Sequence, residues 1–391
     1  MIYFDNAATT YPKPRAVLDA MANAFYKYGA NPGRAGHTMS LATSEQVYAC
    51  RDLAAELFHA PGSEAVVFTL NCTHAVNIAL KGALVSTSKQ KAHVIVSCLE
   101  HNAVMRPIHK LAKQGRISYD IARVDFDNDD ETVNNFRKLI RSDTALIVCT
   151  HASNVCGFRL PIERIGALAR EYSEHNAHKI KFLVDAAQTA GLVPIDMQQC
   201  GIDYLCMAGH KSLLGPTGTG MLITSDTKLD TLIEGGTGSE SIRLDQPEFL
   251  PDRLESGTIN VIGIAGLRAG MAYVKRHGQD RLCNGEVRHI QRLYDALSTQ
   301  ENVRLYTPYP KTGRFTPVLS FNLDGVPSEQ VAAQLDKAGI AVRGGLQCAP
   351  LAHYTLGTGQ MGTVRLSPGT YTTSRDVDDV IYAIRKLRNF R

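Results

Sequence analysis

Short apolar runs rich in β-branched residues alternate with helix-period segments through the middle of the chain. This alternation restricts the fold more than any other feature. Strand-like runs occupy 65–70, 93–97, 145–150 and 182–184, and helix-like runs occupy 41–58, 74–81, 104–114, 132–141 and 161–174. Strands that alternate with helices predict an α/β fold, a mostly parallel sheet covered by helices. The runs are almost continuously apolar, as befits strands buried on both faces. Ligands of such sheets sit beyond the carboxyl ends of the strands, so the residues that follow each run are the candidates for chemistry.

The last third changes character. Helices are expected over 262–277, 288–299, 328–338 and 374–388, and strands over 316–322, 340–343 and 363–366. That pattern predicts a smaller α+β domain. At 391 residues the chain is too long for one ordinary core. A division near 263–266 gives a large domain of 16–264 and a small domain made of 1–15 and 265–391.

Composition narrows the function classes. Hydrophobic residues make up 44% and charged residues 20%, which suits a folded globular enzyme. The net charge is +4 and no run of five Lys or Arg occurs, so no nucleic-acid footprint is expected. No apolar stretch approaches the roughly 18–20 residues of a membrane span. The opening Met1-Ile2-Tyr3-Phe4 reads as a strand without a signal-peptide pattern, which predicts a cytoplasmic protein. The nine cysteines are odd in number, irregularly spaced and free of any CxxC pair. Neither a disulfide framework nor a metal site is expected from them.

Four segments after expected strands carry chemistry. In Phe68-Thr69-Leu70-Asn71-Cys72-Thr73-His74 a strand runs into a helix, where amides and the Thr73 hydroxyl suit a phosphate, or Thr73 serves only as a helix cap. In Leu99-Glu100-His101-Asn102 the histidine can stack on an aromatic cofactor and move protons, or act as a structural hydrogen-bonder. In Phe182-Leu183-Val184-Asp185-Ala186-Ala187-Gln188 an acid ends a buried strand, which requires a partner. A pyridinium N–H is one such partner, and a helix N-terminus is another. In Met207-Ala208-Gly209-His210-Lys211, followed by Gly215-Pro216-Thr217-Gly218-Thr219-Gly220, a lysine in a desolvated turn can form an imine, or lie on the surface beside a hairpin. In combination, the acid, the lysine and the phosphate-ready turn are what pyridoxal 5'-phosphate requires: a held phosphate, a charged ring nitrogen, a stacked ring and a bonded aldehyde.

These motifs resemble the class V aminotransferase group of fold-type I pyridoxal phosphate enzymes, and within it the cysteine desulfurases and selenocysteine lyases. The resemblance runs nearly end to end. It rests on Tyr3-Phe4-Asp5-Asn6-Ala7-Ala8-Thr9-Thr10, Thr150-His151-Ala152-Ser153-Asn154-Val155, Asp185-Ala186-Ala187-Gln188, His210-Lys211 and Glu255-Ser256-Gly257-Thr258-Ile259-Asn260. It implies a seven-stranded large-domain sheet, with Thr73, His210 and the Cys72 amide on the phosphate and His101 stacked on the ring. It also implies Asn154 and Gln188 on the phenolic oxygen, Asp185 on the pyridine nitrogen and Lys211 joined to the aldehyde as a Schiff base. Thr258 would reach the phosphate of a second subunit, which implies a homodimer. Arg365 in Val364-Arg365-Leu366-Ser367 would clamp the substrate carboxylate, a task its planar fork suits. Without the resemblance Arg365 would be an ordinary surface strand residue.

The resemblance further implies that Cys348, in the turn Gly344-Gly345-Leu346-Gln347-Cys348-Ala349-Pro350, is a nucleophile rather than a buried structural cysteine. It stands 365 − 348 = 17 positions before Arg365, a short interval like that of the second, compact-loop desulfurase subgroup. The chain departs from that pattern in carrying Leu346 and Gln347 where two histidines are usual, Ala208 where a serine is usual, and His74 where a glutamate is frequent. The implied activity is conversion of L-cysteine to L-alanine, with Lys211 taking the α-proton, His101 moving a proton near the ring and sulfur captured as a persulfide on Cys348. A sulfur-acceptor protein would take that sulfur on. Alternatives are a selenocysteine lyase, another class V lyase or aminotransferase, or a cofactor-binding sulfur-transfer protein with little turnover.

Overall fold

The structure, a computed structural model, describes residues 1–32, 36–85, 92–175 and 178–387. The chain opens with β1 (Ile2–Tyr3), α1 (Arg15–Asn23) and α2 (Thr38–Phe58). Alternation then follows: β2 (Val66–Thr69), α3 (Cys72–Val85), β3 (Ala92–Ser97), α4 (Asn102–Lys113), β4 (Ile117–Ala122), α5 (Asp129–Arg137), β5 (Thr144–Thr150), α6 (Ile162–His175) and β6 (Lys181–Asp185). Two strands without an intervening helix close this part, β7 (Tyr204–Ala208) and β8 (Gly220–Ile223).

These strands form one seven-stranded sheet in the order β2-β8-β7-β6-β5-β3-β4. β8 runs antiparallel to both of its neighbours, and the other pairings are parallel. The continuous apolar runs are explained by burial of both faces. Ile95, Ile147, Phe182, Val184 and Leu205 pack into one core cluster. Their neighbours Val94, Val96, Leu146, Val148, Leu183 and Tyr204 pack into a second. A period of two sends successive side chains to opposite cores.

The remaining elements are α7 (Val261–His277), α8 (Gln279–Ser298), β9 (Val303–Leu305), β10 (Leu319–Leu323), α9 (Ser328–Lys337), β11 (Ile340–Ala341), α10 (Pro350–Thr355), β12 (Val364–Leu366) and α11 (Ser374–Lys386). β12-β10-β9 form an antiparallel sheet, and β1 pairs in parallel with β11. Phe4 therefore packs in a third cluster with Leu319, Phe321, Val364 and Val377, far away in sequence.

Several elements depart from the sequence expectation for local reasons. The strand expected over 316–322 begins at Leu319, because Pro317 has no N–H and Thr316 instead donates its amide to Gly157. The helix expected from 288 begins at Gln279, directly after Gly278 at φ 81°. α5 lies earlier than 132–141 because Asn128 Oδ1 accepts the amides of Asp130 and Glu131, and three acids fill the first turn. β4 was not anticipated, since as an edge strand it carries Ser118 and Asp120 half-exposed. The expected end of the last helix, Arg388, lies outside the described residues.

Candidate active site

Each functional loop leaves the carboxyl end of a sheet strand. After β2, Asn71 Oδ1 accepts the His74 amide at 2.9 Å, so Asn71 is the cap and Thr73 is left on the first turn of α3. The opening amides of a helix have no intrahelical acceptor, and they face an anion with a favourable dipole. After β3, His101 caps α4, its Nδ1 accepting the Ala103 amide at 3.0 Å. That bond leaves the proton on Nε2. Burial lowers the His101 pKa, with Asp185 opposing and Lys211 assisting the shift, so the ring is neutral. The preceding residue, Glu100, is fully buried, accepts the Thr150 amide at 2.6 Å, and is pushed up to about 8 by burial.

β6 ends at Asp185, and the segment that follows is a series of turns rather than a helix. Asp185 therefore does not cap a helix. Its Oδ1 accepts the Ala187 amide at 2.9 Å and the Cys72 thiol at 3.4 Å. After β7 comes His210-Lys211. Enclosure by protein lowers the Lys211 pKa, against the pull of the Asp185 carboxylate. Desolvation first, then the charges of Lys211 and Lys13, bring His210 down to about 4, and its buried Nδ1 has no hydrogen-bond partner.

The fold brings these loops around one cavity of about 160 Å³. It is lined by Cys72, Thr73, His101, Asn154, Asp185, Gln188, His210 and Lys211, with Ala208 also on the wall. Gln188 is held in place by donating Nε2 to the Ala7 carbonyl at 3.0 Å. His74 turns away from this cavity and accepts the Leu70 amide at 3.3 Å.

Arg365 is 1% exposed, so it is not a surface strand residue. Its Nη1 donates to the Asn154 carbonyl at 3.0 Å, its Nη2 meets Asp5 Oδ1 at 2.6 Å, and its Nε has no partner. Asn154 in turn donates Nδ2 to the Gln347 carbonyl at 2.7 Å, which ties the large sheet to the Cys348 turn. The Asn102 amide donates to the Cys348 carbonyl at 2.8 Å, so the His101 and Cys348 loops are joined directly. All nine cysteines are free and eight are buried; Cys348 is exposed. It shares a second cavity of about 310 Å³ with Thr73 and His101. The guanidinium of Arg343 lies 3.9 Å from its Sγ. Thr258 is not with the others: it lines a separate cavity of about 520 Å³ with Arg51, Glu64 and Gly236.

The sequence profile of the family described as Aminotransferase class-V matches residues 2–380. The chain belongs to the class-V aminotransferase family. A probable cysteine desulfurase of Xylella fastidiosa is 31% identical, with 99% of this chain and 91% of that one covered. A probable cysteine desulfurase of Methanothermobacter thermautotrophicus is also 31% identical, over 96% of this chain and 92% of that one. Among solved structures, the apo cysteine desulfurase of Thermococcus onnurineus superposes with a TM-score of 0.90 at 30% identity, covering 99% of this chain and 94% of that one.

In this class-V aminotransferase chain the sequence reading missed a set of supporting residues. Thr9 Oγ1, Thr10 Oγ1 and Lys13 Nζ all donate to the His210 carbonyl, at 3.1, 3.2 and 2.5 Å, and Thr10 Oγ1 also reaches the Lys211 carbonyl at 3.0 Å. The N-terminal segment thus clamps the backbone that carries the lysine. Burial lowers the pKa of Lys13 to about 8. The motif around Thr9 and Thr10 was visible in the sequence, but its target lies some 200 residues away and no spacing rule points there. In the sequence Gln347 stands out only as a departure from the family pattern. It is 3% exposed, donates Nε2 to the Thr363 carbonyl at 2.7 Å and pairs its Oε1 with His353 Nε2 at 2.9 Å. It therefore holds the turn on which Cys348 sits at φ 59°.

Proposed function

We propose that this protein is a pyridoxal phosphate-dependent cysteine desulfurase that converts L-cysteine to L-alanine and captures the sulfur on Cys348. The observation that carries this reading is the position of Cys348, an exposed thiol at a cavity shared with Thr73 and His101. Only an accessible, thiolate-forming cysteine can accept sulfur. The names of the relatives agree with it.

The residues present fit the cofactor. The buried, partnerless His210 Nδ1 and the opening turn of α3 offer donors for a phosphate, at Thr73, His210 and the Cys72 amide. Asp185 supplies a buried carboxylate for the pyridine nitrogen, His101 a neutral ring for stacking, and Asn154 and Gln188 amides for the phenolic oxygen. Lys211 supplies an enclosed amine of lowered pKa for the aldehyde. When bound, the cofactor supplies an electron-withdrawing ring that accepts the electron pair left at the substrate α-carbon.

The chain's own residues do the rest. Arg365 binds the substrate carboxylate through its free Nε edge, pre-oriented by Asp5 and the Asn154 carbonyl. Lys211, as a neutral amine, takes the α-proton. His101 carries its proton on Nε2 and can direct that N–H as a hydrogen-bond donor towards the reacting atoms, where it can steer the movement of a proton. The Cys348 thiolate attacks the sulfur of L-cysteine, forming an S–S bond as the C–S bond breaks. The Arg343 guanidinium lies beside that sulfur, 3.9 Å from Sγ. The reading includes a two-domain division at residue 264, a cytoplasmic homodimer in which Thr258 of one subunit reaches the phosphate held by the other, and delivery of sulfur to an acceptor protein. No helix among the described residues is long and apolar enough to cross a membrane.

Mass spectrometry of Cys348 after addition of L-cysteine tests the proposal. One added sulfur atom is expected, with equimolar alanine. Cys348→Ala is expected to lose persulfide-dependent turnover, and full activity of that variant on L-cysteine would overturn the sulfur-transfer step. A substrate panel that includes selenocysteine distinguishes a lyase for that amino acid.

A further inference from the structure

The outer face of α4 is cationic from one end to the other. Arg106, His109, Lys110 and Lys113 are all exposed, and Asn102–Lys113 contains no acidic residue. Beside it runs a groove of about 520 Å³, whose lining also includes Tyr119, Pro350 and Leu351. The cavity that holds Cys348 shares Asn102, Arg106 and Lys110 with this groove and adds Lys81. Among the described residues neither cavity is lined by a carboxylate.

Several surface cations elsewhere in the domain are paired, unlike the lysines of α4. Other surface cations of the same domain, Arg137, Lys138, Arg141 and Arg164, each meet an Asp or Glu within 4 Å, at 3.2, 3.3 and 2.9 Å for the first three. Among the described residues Lys81, Arg106, Lys110 and Lys113 form no ion pair. A chain of net charge +4 thus concentrates four unpaired cations beside its one exposed cysteine. The apolar floor of Tyr119, Pro350 and Leu351 distinguishes the groove from a purely electrostatic track and suits a protein side chain. The groove is also away from the Thr258 cavity. That cavity includes Arg51, which bonds the Val66 carbonyl in edge strand β2, whereas α4 packs on β4 at the opposite edge of the sheet.

The geometry points to this groove as the docking site of an acidic sulfur-acceptor protein that presents a cysteine to Cys348. The inference rests on the desulfurase reading and specifies its acceptor. In the transfer the acceptor thiolate attacks the outer sulfur of the Cys348 persulfide. A new S–S bond forms on the acceptor, the Sγ–S bond breaks, Cys348 leaves as a thiolate, and the proton stays on the transferred sulfur. No external oxidant or reductant is consumed. Opposite charge at the mouth raises the encounter rate, so the effect belongs to the second-order transfer step.

The test uses the holoenzyme with L-cysteine and three synthetic peptides, each with one cysteine flanked by Glu, Gln or Lys. Persulfide on each peptide is followed by mass spectrometry, and alanine is followed in parallel with dithiothreitol as a neutral acceptor. The acidic peptide is expected to be loaded roughly tenfold faster than the neutral one, with the advantage lost at high salt. Lys110→Glu/Lys113→Glu is expected to invert the order of the acidic and basic peptides while leaving alanine formation with dithiothreitol unchanged. Equal rates for the three peptides, or the same order in wild type and variant, would overturn the docking site. So would a single-stranded RNA oligonucleotide that binds wild type, loses affinity in the variant and finds no peptide preference beside it, because the face would then be a nucleic-acid surface. Absence of alanine with dithiothreitol would instead strike the desulfurase reading and the acceptor role with it.

Discussion

Replacing Gln347 by methionine removes hydrogen bonds at nearly constant volume, and the structure sets the size of the effect. The Gln347 amide donates to the Thr363 carbonyl at 2.7 Å, and its oxygen takes contacts from His353 Nε2 at 2.9 Å and Thr363 Oγ1 at 3.2 Å. Thr363 Oγ1 keeps a partner in Ser320 Oγ at 3.1 Å, so two groups are orphaned, the Thr363 carbonyl and the His353 N–H. A buried polar group left unpaired costs about 1–3 kcal/mol, so the variant should lose about 2–6 kcal/mol, with no cavity contribution. The catalytic consequence is separate. Gln347 and Cys348 lie at φ 42° and 59°, a region that costs a non-glycine residue about 1–2 kcal/mol each. Once the clamp is gone the turn can relax towards ordinary φ and carry Sγ away, which should lower kcat about tenfold or more. Urea unfolding measures the first effect, and alanine formation with persulfide yield measures the second. A Gln347→Met enzyme within about 0.5 kcal/mol of wild type and with unchanged kcat would refute the reasoning.

Two further outcomes concern stability. Arg51→Met should destabilise the protein by about 3–5 kcal/mol, because Glu255, bound at 2.7 and 2.8 Å with both side chains 8% exposed, would keep an uncompensated buried charge. Adding Glu255→Gln should recover most of that loss in urea titrations, and a double variant as unstable as the single one would contradict the assignment. Glu286 is fully enclosed, with Thr370 as its hydrogen-bond donor, and burial raises its pKa from 4.5 to about 8. A raised carboxylate pKa means that the folded state holds the proton more tightly, so this contribution to stability is complete below about pH 4.5 and is lost as pH climbs through about 8. Glu286→Gln should therefore flatten the decline in unfolding free energy between about pH 4.5 and 8, and an identical slope in the variant would rule out Glu286 as its source.

The sequence by itself determined the architecture and the bottom of the site. Apolar runs with helices between them allow one class of sheet, and a strand's carboxyl end is a fixed place, so Thr73, His101, Asp185 and Lys211 could be found from local patterns. Cys348 could be named only through family resemblance, and its exposure among eight buried cysteines was decided by packing. Polar strands such as β4 escaped notice because an edge needs no apolar periodicity. Only the tertiary structure decided the contacts between distant segments. Thr10 and Lys13 clamp the His210 carbonyl, Asp5 orients Arg365, and Asn154 ties the large sheet to the cysteine turn through the Gln347 carbonyl. A hydrogen bond between residues hundreds of positions apart leaves no periodic trace in the chain, because its geometry exists only after both cores have closed. The same holds for the charge of the Cys348 mouth: each lysine of α4 is an ordinary surface residue in the sequence, and the fold alone sets them beside an exposed thiol with no acid to balance them.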